Sequence, residues 1–327
     1  MFIGSYLMNK SHIPACLIIG YSRPDGVSRL IDQAAKAGVT RIYLAIDGQK
    51  KENIALKLSF SRIVEFAKTK PNLEVFTWFR ENNLGTQLSV ISALDWFFSE
   101  EESGVILEDD LIPSNSFFTF AANGLNQFAS DESVWLISGN QYFDAEIPFE
   151  SNHWTTYPLI WGWASWAEKW FSMREEMLKA RIHWRADVRK ESVGFWSVGF
   201  SRARNGSVES WAILLAAQMH ALGKFCLLPP ENLVTNRGSD EVAIHTKEDK
   251  WPLNVPTSEK YISESISKSR RIEIARIIDR KIEDSIYGVK RRHRFLPYAE
   301  KLKLRNIGQR PFKSTVAERL SRISTPN

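Results

Sequence analysis

The chain has 327 residues and a mass of 37.5 kDa, with 43% hydrophobic and 25% charged residues. Those values are ordinary for a globular protein, and they exclude a disordered or fibrous chain. Two cysteines, Cys16 and Cys226, form no disulfide framework and no zinc-type spacing. The net charge of +5 is unevenly spread: residues 260–327 carry 18 Lys and Arg against 7 Asp and Glu, so the rest of the chain is net acidic. A basic end of this kind suits an anionic surface, a membrane or nucleic acid, or else is a solvated helical face.

In chain order, Pro14–Gly20 is an apolar run ending in the polar loop Tyr21–Gly26, which predicts a buried strand and a turn. Val27–Ala37 has helical spacing and is closed by Gly38. Arg41–Ile46 reads as a second strand ending in Asp47-Gly48, and Ile54–Lys68 as a second helix. Leu73–Phe79 is a third strand and Gln87–Ser99 a third helix. Gly104–Asp110 is a fourth strand that runs into three acids. Strand and helix alternating in this way predict an α/β fold with a parallel sheet.

After residue 110 the pattern is less regular. Phe117–Phe128 reads as a helix and Val134–Gly139 as a strand. Tyr157–Trp170 is dense in tryptophan, Ser210–Leu222 is an apolar helix, and Lys224–Pro229 is a strand. From about residue 250, Ile262, Ile266, Ile277, Ile278, Ile282 and Ile286 recur among basic residues, as in amphipathic helices. The expected organisation is one domain over 10–250 and a basic, mainly helical extension over 251–327.

In parallel α/β sheets, ligands bind outside the carboxyl ends of the strands. Arg23, Asp47 and Glu108–Asp110 all fall at those ends, so distant polar residues are brought to one edge. No glycine-rich dinucleotide fingerprint and no P-loop is present, which disfavours a dehydrogenase or a P-loop nucleotidase. Three consecutive carboxylates after a buried strand repel one another. A hard divalent cation, Mg2+ or Mn2+, would compensate them, although a solvated acidic turn is the alternative.

Val105-Ile-Leu-Glu-Asp-Asp110 resembles the DXD-type motif of GT-A glycosyltransferases, in the form seen in the N-acetylglucosaminyltransferase I family and its bacterial relatives. Tyr21-Ser-Arg-Pro24 is similar to the family's first-strand loop, and Asn83-Leu-Gly85 stands at the family's spacing before the acidic motif. Trp161-Gly-Trp-Ala-Ser-Trp166 and Asn232-Leu-Val-Thr-Asn236, with His245-Thr246, resemble two later elements, so the likeness spans about residues 12–247.

The resemblance implies a GT-A mixed sheet flanked by helices. It also implies metal-dependent transfer of a hexosyl or N-acetylhexosaminyl group, with inversion. The donor would be a nucleotide-diphosphate sugar, with UDP expected and GlcNAc less firmly so; the acceptor would be a glycan or lipid-linked glycan. Carried over by position, Arg23, Asp47, Glu108, Asp109 and His245 would bind the donor, and Asp110 would ligate Mn2+ or Mg2+. Trp161 and Trp163 are candidates to line the acceptor site, while Trp166 and Trp170 read as core.

The family's catalytic acid sits at a helix start, matched here by Val208-Glu-Ser-Trp211. Register on Trp211 puts Ser210 at the base position, a poor base, and Glu209 is the nearby acid. Glu209 is the expected base, and a catalytically inactive carbohydrate-binding or scaffold protein is the alternative. A nucleotidyltransferase on the same fold would want a glycine-rich basic loop after the first strand, which Tyr21–Gly26 lacks. No signal peptide or membrane span is read, so a cytoplasmic protein is expected, peripheral at the inner membrane face if the basic end meets anionic lipid. No nucleic-acid-binding module is recognised.

Overall fold

A computed structural model describes residues 13–141, 153–238, 255–259, 270–298 and 315–326. Strands β1 (Ala15–Gly20), β2 (Arg41–Ile46), β3 (Glu74–Phe79) and β4 (Ser103–Glu108) alternate with helices α1 (Pro24–Ala37), α2 (Ile54–Lys68) and α3 (Thr86–Glu100). The alternation expected from the apolar periodicity is therefore observed, with ends shifted by at most three residues, the largest shift being α1, which starts at Pro24 inside the stretch expected as a turn.

The second half contributes β5 (Leu111–Pro113), α4 (Asn115–Gln127), β6 (Val134–Ser138), β7 (His153–Thr155) and β8 (Trp163–Trp166). It continues with α5 (Ala167–Leu178), α6 (Lys190–Arg204), α7 (Trp211–Leu222), β9 (Phe225–Leu228) and β10 (Val234–Asn236). Eight strands form one mixed sheet in the order β3-β2-β1-β4-β8-β6-β9-β7, and β5 pairs with β10 in a separate ribbon. The first four spatial neighbours are parallel; β8 runs antiparallel to both β4 and β6. The fold is thus mixed α/β, a Rossmann-like sheet flanked by helices.

Burial follows from the topology. β1 sits inside the sheet with helices on both faces, so all six of its residues are buried, as an interior parallel strand requires. β3 is one of the two edge strands, and most of its residues are exposed. Helix α1 begins with Pro24 in its first turn and ends at Gly38, whose φ of 97° is the left-handed cap that glycine takes without strain.

The C-terminal segment packs on this body. Helix α8 (Arg271–Lys281) runs into a π-helical turn (Ile282–Tyr287) and then a 3-10 helix (Arg291–Phe295). Ile274, Ala275, Ile278 and Ile282 are buried, with α8 lying against β7. Asp279 accepts hydrogen bonds from Thr155 Oγ1 at 2.6 Å and from Thr156 N at 2.8 Å. Glu283 accepts from Tyr157 Oη at 2.8 Å and pairs with Arg189. The Arg271 guanidinium lies 4.2 Å from the Trp154 ring centre and pairs with Asp131 at 3.1 Å.

Of the isoleucines expected on an amphipathic helix, Ile278 and Ile282 are buried with Ile274 on the side facing the sheet, whereas Ile277 and Ile272 are exposed. Ile262 and Ile266 lie outside the described residues. Among the described residues no helix is long and apolar enough to cross a membrane. A last short helix, α9 (Val316–Leu320), buries Val316 and Leu320.

Candidate active site

A cavity of about 200 Å³ opens at the carboxyl edge of β1, β2 and β4. Its lining includes Tyr21, Ser22 and Arg23 after β1, Asp47 and Lys50 after β2, and Glu108, Asp109 and Asp110 after β4. Asn83, Gly85, Thr86 and Ser89 come from the entry to α3, Glu209 from the entry to α7, and Gly238 from beyond β10. Six chain segments thus meet in one place, because parallel strands all deliver their following loops to the same edge.

Asp109 ties the first and fourth strand ends together. Its backbone N donates to Ile19 O at 3.0 Å, and its carboxylate accepts from Tyr21 N at 2.9 Å and from Arg23 Nη1 at 3.4 Å. The close approach needs Gly26, where a Cβ would fall 2.0 Å from Asp109 O. Burial raises the Asp109 carboxyl, and its bonds to Tyr21 and Arg23 oppose that shift.

Glu108 is half-buried at the end of β4. Burial first, then the charges of Asp110 and Asp109, push its carboxyl up to about 8. Asp110 faces the segment after β10: its backbone O accepts from Arg237 N at 3.0 Å, and a Cβ at Gly238 would lie 2.6 Å from its Oδ2. Ribbon β5–β10 brings that segment alongside, with Asn236 opposite Leu111.

Asp47 is buried and turned to the chain itself. Its Oδ1 accepts from Leu84 N at 3.1 Å; its Oδ2 accepts from Gly85 N at 3.2 Å and Asn83 Nδ2 at 3.1 Å. The Asn83-Leu-Gly85 motif is thereby explained: these residues clamp the α3 entry onto the end of β2. Expected as a donor contact, Asp47 lines the cavity but spends its carboxylate on this loop. Burial raises it, and the Leu84 amide and the charge of Arg80 oppose the shift.

Glu209 and Ser210 part company. Ser210 is the N-cap of α7, its Oγ accepting from Ile213 N at 3.3 Å. Glu209 is exposed to the cavity and lies directly over Gly85, where a Cβ would be 1.8 Å from its Oε1. Gly85 has φ 76° and ψ 161°, a conformation essentially reserved for glycine. The carboxylate therefore stands at the start of two helices, α3 and α7, where anions are favoured.

The tryptophans correct one expectation. Trp163 is 1% exposed, within β8 and stacked 6.0 Å from Trp211, so it belongs to the core and offers no face to an acceptor. Trp161 is half-buried, its N donating to Asn140 Oδ1 at 3.1 Å, and it does not line the cavity. Trp166 and Trp170 are buried. His245 lies outside the described residues.

Lys50, Thr86 and Ser89 escaped the sequence reading. Lys50 could have been found from its place just beyond a strand end; Thr86 and Ser89 carry no local signal beyond opening a helix. Among the described residues no group of three His, Cys, Asp or Glu side chains forms a ready metal cage.

No protein-family profile matches the chain, and no curated protein matches its sequence. Among solved structures the chain is similar to HddC from Yersinia pseudotuberculosis, at 14% identity over 47% of this chain and 77% of that one, with a TM-score of 0.31. It is similar to a 4-diphosphocytidyl-2C-methyl-D-erythritol synthase from Anaerococcus prevotii at 10% identity, over 50% and 77% of the two chains, with a TM-score of 0.33. A mannosyltransferase from Pyrobaculum calidifontis, solved with GDP-Man and Mn2+, matches at 12% identity over 64% and 68%, with a TM-score of 0.36. Likenesses this slight carry no functional argument, which rests on the cavity.

Proposed function

We propose that the protein is a metal-dependent glycosyltransferase that moves a sugar from a nucleoside-diphosphate donor to a hydroxyl of a glycan or lipid-linked glycan, with inversion. The observation that carries the reading is the cavity in which Arg23, Lys50, the Glu108–Asp110 carboxylates and Glu209 converge from separate segments. Cationic and anionic groups share one pocket there, as a diphosphate and a divalent cation together require.

The donor set fits a hard cation. Asp110, with Glu108 beside it, offers carboxylate oxygens at a strand end, and no closed protein cage surrounds them. Mg2+ and Mn2+ are suited to such a site, taking one or two carboxylates and filling their shell with phosphate oxygens and water. When bound, the cation supplies charge neutralisation for the departing diphosphate.

The chain's own residues account for the rest of the chemistry. Arg23 and Lys50 attract the diphosphate into the cavity. Glu209 takes the proton from the acceptor hydroxyl as that oxygen bonds to the anomeric carbon. The bond from that carbon to the diphosphate oxygen breaks, and the electron pair leaves with the nucleoside diphosphate. Attack from the face opposite the leaving group inverts the centre. Asp47 acts on the loop, holding Gly85 so that Glu209 can seat above it. The placement of Glu209 in the cavity, with Ser210 spent on a helix cap, favours an active enzyme over an inactive scaffold.

The test is calorimetric titration of UDP, GDP and CDP with and without Mn2+. One nucleotide should bind in a metal-dependent way, and Asp110→Ala should abolish the metal dependence. Glu209→Gln should keep donor binding and lose about a hundredfold or more in turnover. Failure of every nucleotide to bind the wild type would overturn the proposal.

A further inference from the structure

Near the end of the chain, a short segment reaches the loop that carries Glu209. Thr315-Val-Ala-Glu318 is a capping box: Thr315 Oγ1 accepts from Glu318 N at 3.3 Å, and Glu318 Oε2 accepts from Thr315 N at 2.7 Å. That box starts α9, whose Val316 and Leu320 sink into the body against α3. Anchored on both sides, Arg319 points inward. Its Nη2 donates to Gln87 Oε1 at 3.1 Å and lies 3.3 Å from where a Cβ of Gly206 would be.

Gln87 is fully buried in the first turn of α3, and it divides its amide NH2 group between two carbonyls. Its Nε2 donates to Ser210 O at 3.1 Å and to Ala203 O at 3.3 Å. Those two carbonyls stand at the two ends of the 205–210 connection between α6 and α7. A side-chain amide can turn over, exchanging its oxygen and nitrogen. Arg319, which can only donate, holds the oxygen, and the two carbonyls, which can only accept, hold the NH2 group, so the three partners together keep the amide in one orientation.

We propose that Arg319 is a positioning residue for Glu209, acting through Gln87. The C-terminal helix braces the Gln87 amide through Arg319, the amide holds the 205–210 connection, and the connection places the Glu209 carboxylate over Gly85. Arg319 itself does not line the cavity. The catalytic consequence rests on the reading of Glu209 as the base; the structural coupling does not.

Two readouts on the full-length chain keep these apart. In Arg319→Ala, amide hydrogen exchange over residues 205–210 should quicken by about tenfold, as expected when a hydrogen bond to a charged group is lost. Donor nucleotide affinity should stay within about twofold while kcat falls by roughly tenfold or more. Arg319→Lys, which keeps a cationic donor, should recover most of both effects. Gln87→Leu, which also removes the bonds to Ser210 and Ala203, should cost at least as much as Arg319→Ala, and the double variant little more than Gln87→Leu alone, because Arg319 acts through Gln87.

Unchanged exchange over 205–210 in Arg319→Ala would overturn the proposal. So would a fall in donor affinity in step with kcat, which would mean a general loss of structure. Quickened exchange in a protein that binds no nucleotide would uphold the coupling and refute the glycosyltransferase reading.

Discussion

Replacing Gly85 by alanine separates two costs that one residue carries. The first is backbone strain: at φ 76° and ψ 161° a side chain is disfavoured by about 1–3 kcal/mol. At about 2–4 °C per kcal/mol for a large domain, the melting temperature should drop by a few degrees up to about ten. The second is steric, since the new methyl would lie 1.8 Å from Glu209 Oε1. A carboxylate at the end of a flexible side chain can swing away cheaply, so this contact adds little to the stability loss.

The swing is nonetheless large for catalysis. Restoring an ordinary contact near 3.5 Å moves the carboxylate oxygen by about 1.7 Å. A misplacement of about 1 Å can cost about a hundredfold in rate. Gly38→Ala is the control, having φ 97° but no atom closer than Ile13 Cγ1 at 3.8 Å. It should lose about 1–2 kcal/mol of stability and no turnover. Thermal melts and donor turnover on both variants decide the matter. Wild-type turnover in Gly85→Ala, or an equal loss of turnover in Gly38→Ala, would refute the reasoning.

Asp47→Ala should free the α3 entry, lowering stability by about 1–3 kcal/mol and quickening exchange of the Leu84 and Gly85 amides; unchanged exchange would contradict the clamp. Trp163→Ala should cost about 3–5 kcal/mol, as for a large buried aromatic, and leave nucleotide affinity of the folded protein intact; a loss under 1 kcal/mol in denaturant melts would return Trp163 to the surface. Burial works to raise the Asp131 carboxyl, yet Ser133 and Arg271 hold it well below the usual carboxylate range. An acid depressed by folding adds stability that is complete above about pH 4 and lost as pH falls through its folded value. Asp131→Asn should therefore be less stable than wild type at pH 7, with the gap closing below about pH 4 in pH-dependent melts; a gap independent of pH would refute this.

Much of the first half was legible because its signals are local. Buried parallel strands read as apolar runs, helices as 3.6-residue periods, and Gly38 as a stop. The Glu108–Asp110 acids and Arg23 were placed correctly at strand ends by that order alone. Strands β7 and β8 were not legible, because three or four residues carry too little periodicity to announce a strand. Their identity comes from β9 and from the flanking β4 and β6. Helices α5 and α6 likewise show weak patterning, with polar residues such as Lys169 and Ser192 buried among their contacts.

The end of the chain shows the boundary most clearly. Isoleucine spacing in α8 announces an apolar face that Ile274 and Ile278 form, but Ile272 and Ile277 stay exposed, and the spacing does not say what covers the face. Strand β7 covers it, and the side chains of Asp279 and Glu283, which look like surface acids in the sequence, are buried against Thr155, Thr156 and Tyr157.

The amino-acid order by itself determined the α/β alternation and the edge of the sheet at which polar residues gather, since both depend on neighbours a few positions apart. Only the tertiary structure decided that Glu209 faces the cavity while Ser210 caps a helix, that Trp163 is core, and that Arg319 reaches Gln87. Those choices turn on contacts between residues up to 232 positions apart, which no local pattern can encode.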